Sequence, residues 1–481
     1  MRTVWLVAAS AALSAAACGG HGGGGGGGGG GGTGFSSGHV VVTNPGGAAD
    51  AKFGSSVAWL DWNQDGRPDV LTGSPGQATG TLQNSGAAFL YTQNANGSFT
   101  LARTFVASDW IGGAVATAAF FGETVCAGDY DGDGREDVAI GAPGDAVGLA
   151  GDAGRVYVLF NTSDHVGALV GPIADPAGSL AGSEFGAALA SGHVDADGKA
   201  ELAVGSPDAT VASLTLAGRV TVLVGSTAAS FGASFLGPIQ ETTPHVDASF
   251  GAALAIGDMN GDGLGDLVVG VPGALAGPGG EVQIWRKAVG PAFTYASSLT
   301  TAEAGILAEF GSCIVLADLD GDGDLDLAVG APFGDVDTQI EAGYVVVLKC
   351  TDAAAGTYVE SALEDRVPEF GAQFGGSIVV GDVDGNGILD LVIGAPAATQ
   401  ASLGSAGHLT LFHAIGGAFY VTPASADVYA SATPTEDAAF AASCDVRDVD
   451  GDGMADLVVG VPGPLDALAP QPGSFEVLKT N

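Results

Sequence analysis

One pattern recurs seven times along this chain: Phe-Gly, six further residues, a nine-residue acidic loop, a short β-branched run, and Gly-x-Pro. The Phe positions are 53, 121, 185, 250, 310, 374 and 440, and the loops open at 61, 129, 193, 258, 318, 382 and 448, eight residues later each time. Gly-x-Pro begins twelve residues after the loop in all seven copies, at 73, 141, 205, 270, 330, 394 and 460. A fixed internal period of this length means one supersecondary unit repeated around or along an axis. Each unit contains four strand-like runs, shown in the second by Glu123 to Asp129, Asp137 to Ala142, Arg155 to Phe160 and His165 to Ile173, with no amphipathic helix between them. Four short strands repeated seven times predict an all-β fold, a seven-bladed β-propeller of four-stranded antiparallel blades. Residues 39–481 supply about 63 residues per blade, a normal repeat length.

The last unit has only three such runs, Ala442 to Arg447, Asp456 to Val461 and Ser474 to Lys479, while a spare one, His39 to Thr43, precedes the first Phe-Gly. The expected closure lays Val40 to Val42 against Phe475 to Leu478, so that the N-terminal strand completes the last blade and two exposed sheet edges disappear together.

The acidic loops carry the chemistry. In the fifth, Asp318, Asp320, Asp322 and Asp326 occupy positions 1, 3, 5 and 9, with Gly321 and Gly323 between them. Alternate carboxylates turn inward when such a loop curls, glycine permits the positive φ of the curl, and the position-7 carbonyl adds another oxygen. The same cage reads as Asp61, Asn63, Asp65, Asp69; as Asp129, Asp131, Asp133, Asp137; and as Asp258, Asn260, Asp262, Asp266. It returns as Asp382, Asp384, Asn386, Asp390 and as Asp448, Asp450, Asp452, Asp456. All-oxygen donors with flexible geometry suit Ca²⁺ better than Mg²⁺, and the lack of His or Cys among these ligands disfavours transition metals. About six Ca²⁺ sites are expected, because the third loop departs from the rule with His193 first and Glu201 last around Asp195 and Asp197.

This reading also accounts for the composition. Asp and Glu number 54 against 14 Lys and Arg, for a net charge of −40, yet the hydrophobic fraction is 46%. So few cations leave no surface for nucleic-acid phosphates or anionic lipid headgroups, and so apolar a chain is not a disordered acidic one. Bound divalent cations explain an apolar, Gly-rich chain carrying this many carboxylates.

Ahead of the repeats, Arg2, an apolar run from Val4 to Leu13 and then Ala15, Ala16, Ala17 and Cys18 read as a signal peptide over residues 1–17. The segment resembles a bacterial lipoprotein signal, with lipid attachment at Cys18, although Ala15 stands where that family usually has Leu. Residues 18–38 would then be the lipid-bearing Cys and a Gly-rich tether, Gly22 to Gly32 being unbroken glycine, and 39–481 the propeller. The expected location is extracytoplasmic, as an outer-membrane or cell-surface lipoprotein or otherwise secreted, with membrane contact through the N-terminal lipid only.

Phe121-Gly122, Asp129 to Asp137 and Gly141-Ala142-Pro143, repeated sevenfold, resemble the FG-GAP repeat of the integrin α-subunit propeller and its bacterial relatives. The departures are small: Ala441 follows Phe440, and Gly-Ser-Pro or Gly-Val-Pro replaces Gly-Ala-Pro in four units. The resemblance implies a calcium-stabilised binding or adhesion module for a protein or glycan. It also implies that the ligand face lies opposite the calcium loops, here including connections 77–86, 106–120, 145–154, 333–342 and 464–472. Two other classes stay open: a polysaccharide-acting lyase or hydrolase at the axial face, and a structural envelope lipoprotein. No Walker loop or Cys-x-x-Cys occurs, no catalytic residue is assigned, and the chain is read as a non-enzyme. Cys126, Cys313, Cys350 and Cys444 are expected as buried free thiols, His165, His245, His408 and His413 as loop or strand fillers, and Trp110 as a packing residue.

Overall fold

The computed structural model describes residues 35, 39–47, 50–111, 116–165, 167–227, 230–273, 279–290, 292–301, 308–400, 402–414, 426–463 and 472–480. The signal segment, Cys18 and nearly all of the tether lie outside them, as do parts of connections 106–120 and 464–472. The described residues form seven four-stranded antiparallel sheets. The first runs Val57–Leu60, Asp69–Ser74, Ala87–Gln93 and Phe99–Phe105, and the second Val125–Gly128, Asp137–Ala142, Arg155–Phe160 and Ala168–Ile173.

Each blade grades from a buried inside to a wet outside, and its sequence follows. Second strands such as Asp137–Ala142 are buried at every position and read as unbroken apolar runs, as strands covered on both faces must. Fourth strands such as Thr357–Glu364 alternate between exposed and half-buried positions, the period-two pattern of a sheet edge. The first strands stand side by side around the axis, and the last of them, Ser443–Arg447, packs on the first, Val57–Leu60. The ring is therefore closed.

Its closure is the predicted one. Val40–Thr43 pairs antiparallel with Ser474–Leu478, with Val40 opposite Val477 and Val42 opposite Phe475. Phe475 then packs on Phe53, Tyr91 and Phe99 of the first blade, with ring centroids 5.3 to 6.0 Å apart, within the range of favourable aromatic pairs.

The repeat motifs are what hold blade to blade. Every motif Phe is fully buried, and Phe121 forms a parallel bridge with Gly86, the residue before the third strand of the preceding blade. The Gly122 N–H donates to Gly141 O at 2.9 Å within its own blade. A Cβ on Gly73 would meet Gly122 O at 1.9 Å, and one on Gly460 would meet Gly54 O at 2.0 Å, which repeats the contact across the closing seam. Backbones this close exclude any side chain, so the glycine of Gly-x-Pro is a packing requirement. The hydrophobic clusters accordingly lie between neighbouring blades, as where Ile314 and Leu316 pack with Ile284 and Phe310.

Cys126, Cys313, Cys350 and Cys444 are buried and free, and burial pushes the thiols of Cys126, Cys313 and Cys444 up to about 12. Connection 106–120 contains one helical turn, Ser108–Ile111, absent from the all-strand expectation. It seats Trp110 against Phe105, Phe121 and Tyr157, with its indole N–H on Val158 O at 3.1 Å. Trp110 is thus a packing residue.

Candidate cation sites and the opposite face

All seven acidic loops join first to second strands, which places them at one end of the ring. The loop curls around its position-1 carboxylate. Asp318 accepts the N–H groups of Gly321 and Asp322 on one oxygen, at 2.8 and 3.0 Å, and that of Gly323 on the other, at 3.0 Å. Gly321 and Gly323 sit at φ of 78° and 97°, a region that admits glycine without strain. Asp382 and Asp61 hold their own loops in the same way.

Position 9 does a second job. Asp326 is fully buried and accepts Leu319 N–H at 2.9 Å and Cys350 N–H at 2.7 Å, tying the loop to the third strand near its end. Asp137 makes the equivalent bonds to Tyr130 and Asn161, and Asp456 to Val449 and Thr480. Burial pushes these carboxyls up, to about 8 for Asp137, about 7 for Asp69 and about 6 for Asp266 and Asp326. The two backbone N–H groups pull back and the neighbouring loop carboxylates add to the rise. Neighbouring loops are also linked, since Ala200 N–H donates to Asp129 O at 2.7 Å and Ala455 N–H to Asp382 O at 2.8 Å.

In three loops the donor set fits a hard divalent cation. Carboxylate oxygens of Asp129, Asp131 and Asp137 lie within 4.8 Å of one another, as do those of Asp318, Asp320 and Asp326 and those of Asp448, Asp450 and Asp456. Oxygens converging at this distance repel unless a cation stands between them. In the first and fourth loops Asn63 and Asn260 take position 3, and their side-chain oxygens accept Asp65 N–H and Asp262 N–H at 3.0 and 2.9 Å.

Two loops differ. In the third, Asp195, Asp197 and Glu201 still converge within 4.8 Å, so the loss of the first carboxylate does not open the cluster. Glu201 accepts Val194 N–H at 2.8 Å on one oxygen, and its other oxygen is buried without a hydrogen-bond partner among the described residues. His193 bonds Lys199 O at 2.7 Å through Nδ1, and Lys199 pairs with Asp197 at 2.6 Å.

The sixth loop corrects the sequence reading of His413. That residue is outside the loop in sequence, but its ring joins Asp384 and Asp390 in a cluster within 4.8 Å. The Asp390 carboxylate beside it raises its pKa against the opposing pull of burial. A signal was present in the repeat phase. Residues 23 positions after the ninth loop residue are Lys349, His413 and Lys479 in the last three blades, and they face Asp320, Asp384 and Asp450.

The opposite end of the ring is built from the second-to-third strand turns and the blade-to-blade connections. Backbone bonds join the two kinds within a blade, as Gly182 N–H to Gly151 O at 2.9 Å and Gly371 N–H to Ile340 O at 3.0 Å. These joined loops expose large apolar side chains: Leu149 fully, Phe370 at 70%, Val367 at 64% and Ile340 at 54%, with Leu180, Leu216 and Val246 also exposed. Exposed large apolar side chains elsewhere among the described residues are Val289, in a third-to-fourth strand turn, and Leu101, Leu169, Tyr295, Val359 and Val428 on fourth strands. No helix among the described residues is long and apolar enough to cross a membrane.

Comparison with known proteins agrees with this architecture. The family described as FG-GAP repeat matches residues 53–91, 121–159, 185–223 and 374–412, and an FG-GAP-like repeat family matches 258–329. Human integrin alpha-IIb is 33% identical over 165 residues, covering 32% of this chain and 15% of that protein. Drosophila melanogaster integrin alpha-PS2 is 30% identical over 272 residues, 51% of this chain and 18% of that protein. Mouse phosphatidylinositol-glycan-specific phospholipase D is 36% identical over 92 residues, 19% of this chain and 10% of that protein. The chain spans a fifth or less of the length of these relatives. FG-GAP repeats matched in five stretches of a closed seven-bladed ring make this chain an integrin α-like FG-GAP propeller.

Proposed function

We propose that this protein is a calcium-stabilised, surface-anchored binding module that captures a protein or glycan ligand on the end of the ring opposite its acidic loops. The observation that carries the reading is the division of labour between the two ends. Acidic cages occupy one end, and exposed apolar side chains on paired loops occupy the other. Apolar groups such as Leu149, Ile340 and Phe370 favour a protein ligand, for which desolvated apolar contacts supply most of the affinity.

Calcium would be held by the loop residues already named, from Asp61, Asn63, Asp65 and Asp69 in the first to Asp448, Asp450, Asp452 and Asp456 in the seventh, and it would neutralise their converging carboxylates. At extracellular affinities of about 10⁻⁴ to 10⁻³ M, millimolar Ca²⁺ adds roughly 0.4 to 1.4 kcal/mol per site, and about six sites add an amount comparable to the net stability of a domain. The role is structural: cations hold the loop end so that the opposite face keeps its shape. A lipid on Cys18 and the Gly-rich tether would keep the ring near an extracytoplasmic membrane face.

The test is a binding screen of the protein against matrix proteins and glycans, in calcium and in chelator, with Leu149→Asp and Phe370→Asp as probes. The expected result is a ligand lost in either variant while melting temperature and calcium stoichiometry are unchanged. Binding that survives both substitutions would place the ligand elsewhere and refute the face assignment. Mass spectrometry of the N-terminus tests the anchor, and an unmodified Cys18 would remove it.

A further inference from the structure

The nine-residue loops offer oxygen donors almost throughout, and the sixth differs because the fold brings a nitrogen to it. His413 leaves the third strand of its blade, His408–Phe412, and turns its ring back over the loop. Its Nδ1 lies 3.5 Å from Asp384 Oδ2 and 3.7 Å from Asp390 Oδ2, too far for a hydrogen bond to either. Both ring nitrogens are shielded from solvent, and neither has a hydrogen-bond partner among the described residues. On the far side, Nε2 faces Asp427 Oδ2 at 3.6 Å.

We propose that the sixth loop is a mixed nitrogen–oxygen site that takes a zinc-type divalent ion in preference to calcium, with Asp384, Asp390 and His413 as its protein ligands and Asp427 orienting the imidazole. The inference rests on reading the loops as cation cages and goes beyond it in the identity of the ion.

Three features of the geometry point this way. An imidazole nitrogen beside two carboxylates suits zinc and the later first-row ions, whereas calcium takes oxygen. A ligating histidine keeps a carboxylate on its other nitrogen, which fixes the tautomer and raises its basicity; Asp427 is the carboxylate facing that nitrogen, at 3.6 Å, and would close on it when the ring binds the ion. The equivalent residues of the flanking blades are Lys349 and Lys479, paired with Asp320 and Asp450. An ammonium can only neutralise the loop, whereas an imidazole that gives up its proton to an incoming ion adds a lone pair to it. Two carboxylates and one histidine leave a position open for water, as in many three-ligand zinc sites.

The experiment uses the full chain, stripped with chelator and returned to millimolar calcium, then titrated with Zn²⁺ by calorimetry and with Co²⁺ by visible absorption. One Co²⁺ per chain is expected that calcium does not displace, with ligand-field bands in the visible region and competition by one Zn²⁺. His413→Ala should abolish those bands while calcium still binds the other loops. Asp427 is more than half exposed, so Asp427→Asn should fold normally and weaken Zn²⁺ binding about 10- to 100-fold. Calcium binding without any calcium-resistant Co²⁺ site would overturn this proposal and leave the cage reading standing. The same Co²⁺ bands in His413→Ala, or undiminished Zn²⁺ affinity in Asp427→Asn, would also overturn it. If neither calcium nor cobalt binds, the cage reading itself fails.

Discussion

Replacing Asp326 by Ala should destabilise the protein whether or not calcium is present, and replacing Asp322 should do so only when calcium is present. Both are loop carboxylates, so a purely metal-based account treats them alike. The structure separates them. Asp326 is fully buried and satisfies two backbone N–H groups, those of Leu319 and Cys350, whereas Asp322 is in the solvent-exposed part of the loop. Removing an acceptor from a buried donor costs about 1 to 3 kcal/mol, so two orphaned N–H groups cost roughly 2 to 6 kcal/mol in chelator. In millimolar calcium the lost site adds about 1 kcal/mol more. Asp322→Ala forfeits only that last amount, and in chelator it relieves like-charge repulsion and is neutral or slightly stabilising. Asp326→Asn should fall between, because its amide can accept one N–H but opposes its NH₂ to the other. Guanidinium unfolding of the three variants, with calcium and with chelator, measures all of this. Equal losses for Asp326→Ala and Asp322→Ala in chelator would refute the bridging role of position 9.

Glu184, just before the third motif Phe and remote from the loops, is held up at about 7 by burial and then by Asp208, Glu123 and Asp152. A carboxyl raised in the folded state stabilises most below its unfolded value near 4.5, and that contribution is lost as pH rises toward 7. Glu184→Gln should therefore raise stability at pH 8 by at most about 3 kcal/mol and leave pH 4 unchanged; a pH-independent difference in melting temperature would contradict this. Deleting residues 39–43 bares the edge of Ser474–Leu478, so the truncated chain should melt several degrees lower and self-associate, as scanning calorimetry and light scattering would show. His193→Asp should restore the first carboxylate beside Asp195, Asp197 and Glu201 and add one calcium per chain or tighten the third loop about tenfold; unchanged stoichiometry and affinity by calorimetry would disprove the loop-by-loop reading.

Fold class, blade number, strand positions and ring closure were legible in the sequence, because each depends on local periodicity. The eight-residue step from Phe to loop and the twelve-residue step from loop to Gly-x-Pro are intervals within a single hairpin, and the spare Val40–Val42 run needed only the edge it would cover. Positions 1, 3 and 9 of the second, fifth and seventh loops converge for the same reason, since residues of one short loop cannot lie far apart. What the tertiary structure alone decided are the contacts between segments distant in the chain. The glycine of Gly-x-Pro is required by the carbonyl of the next blade, about 49 residues away in the case of Gly73 and Gly122. Position 9 bridges to the third strand 24 residues later, and His413 reaches its loop from 23 residues beyond Asp390, with Asp427 behind it on another strand. A one-dimensional pattern records which residues are present; which donors share one cavity is set by strand register and twist, and that is where the sixth loop acquires its nitrogen.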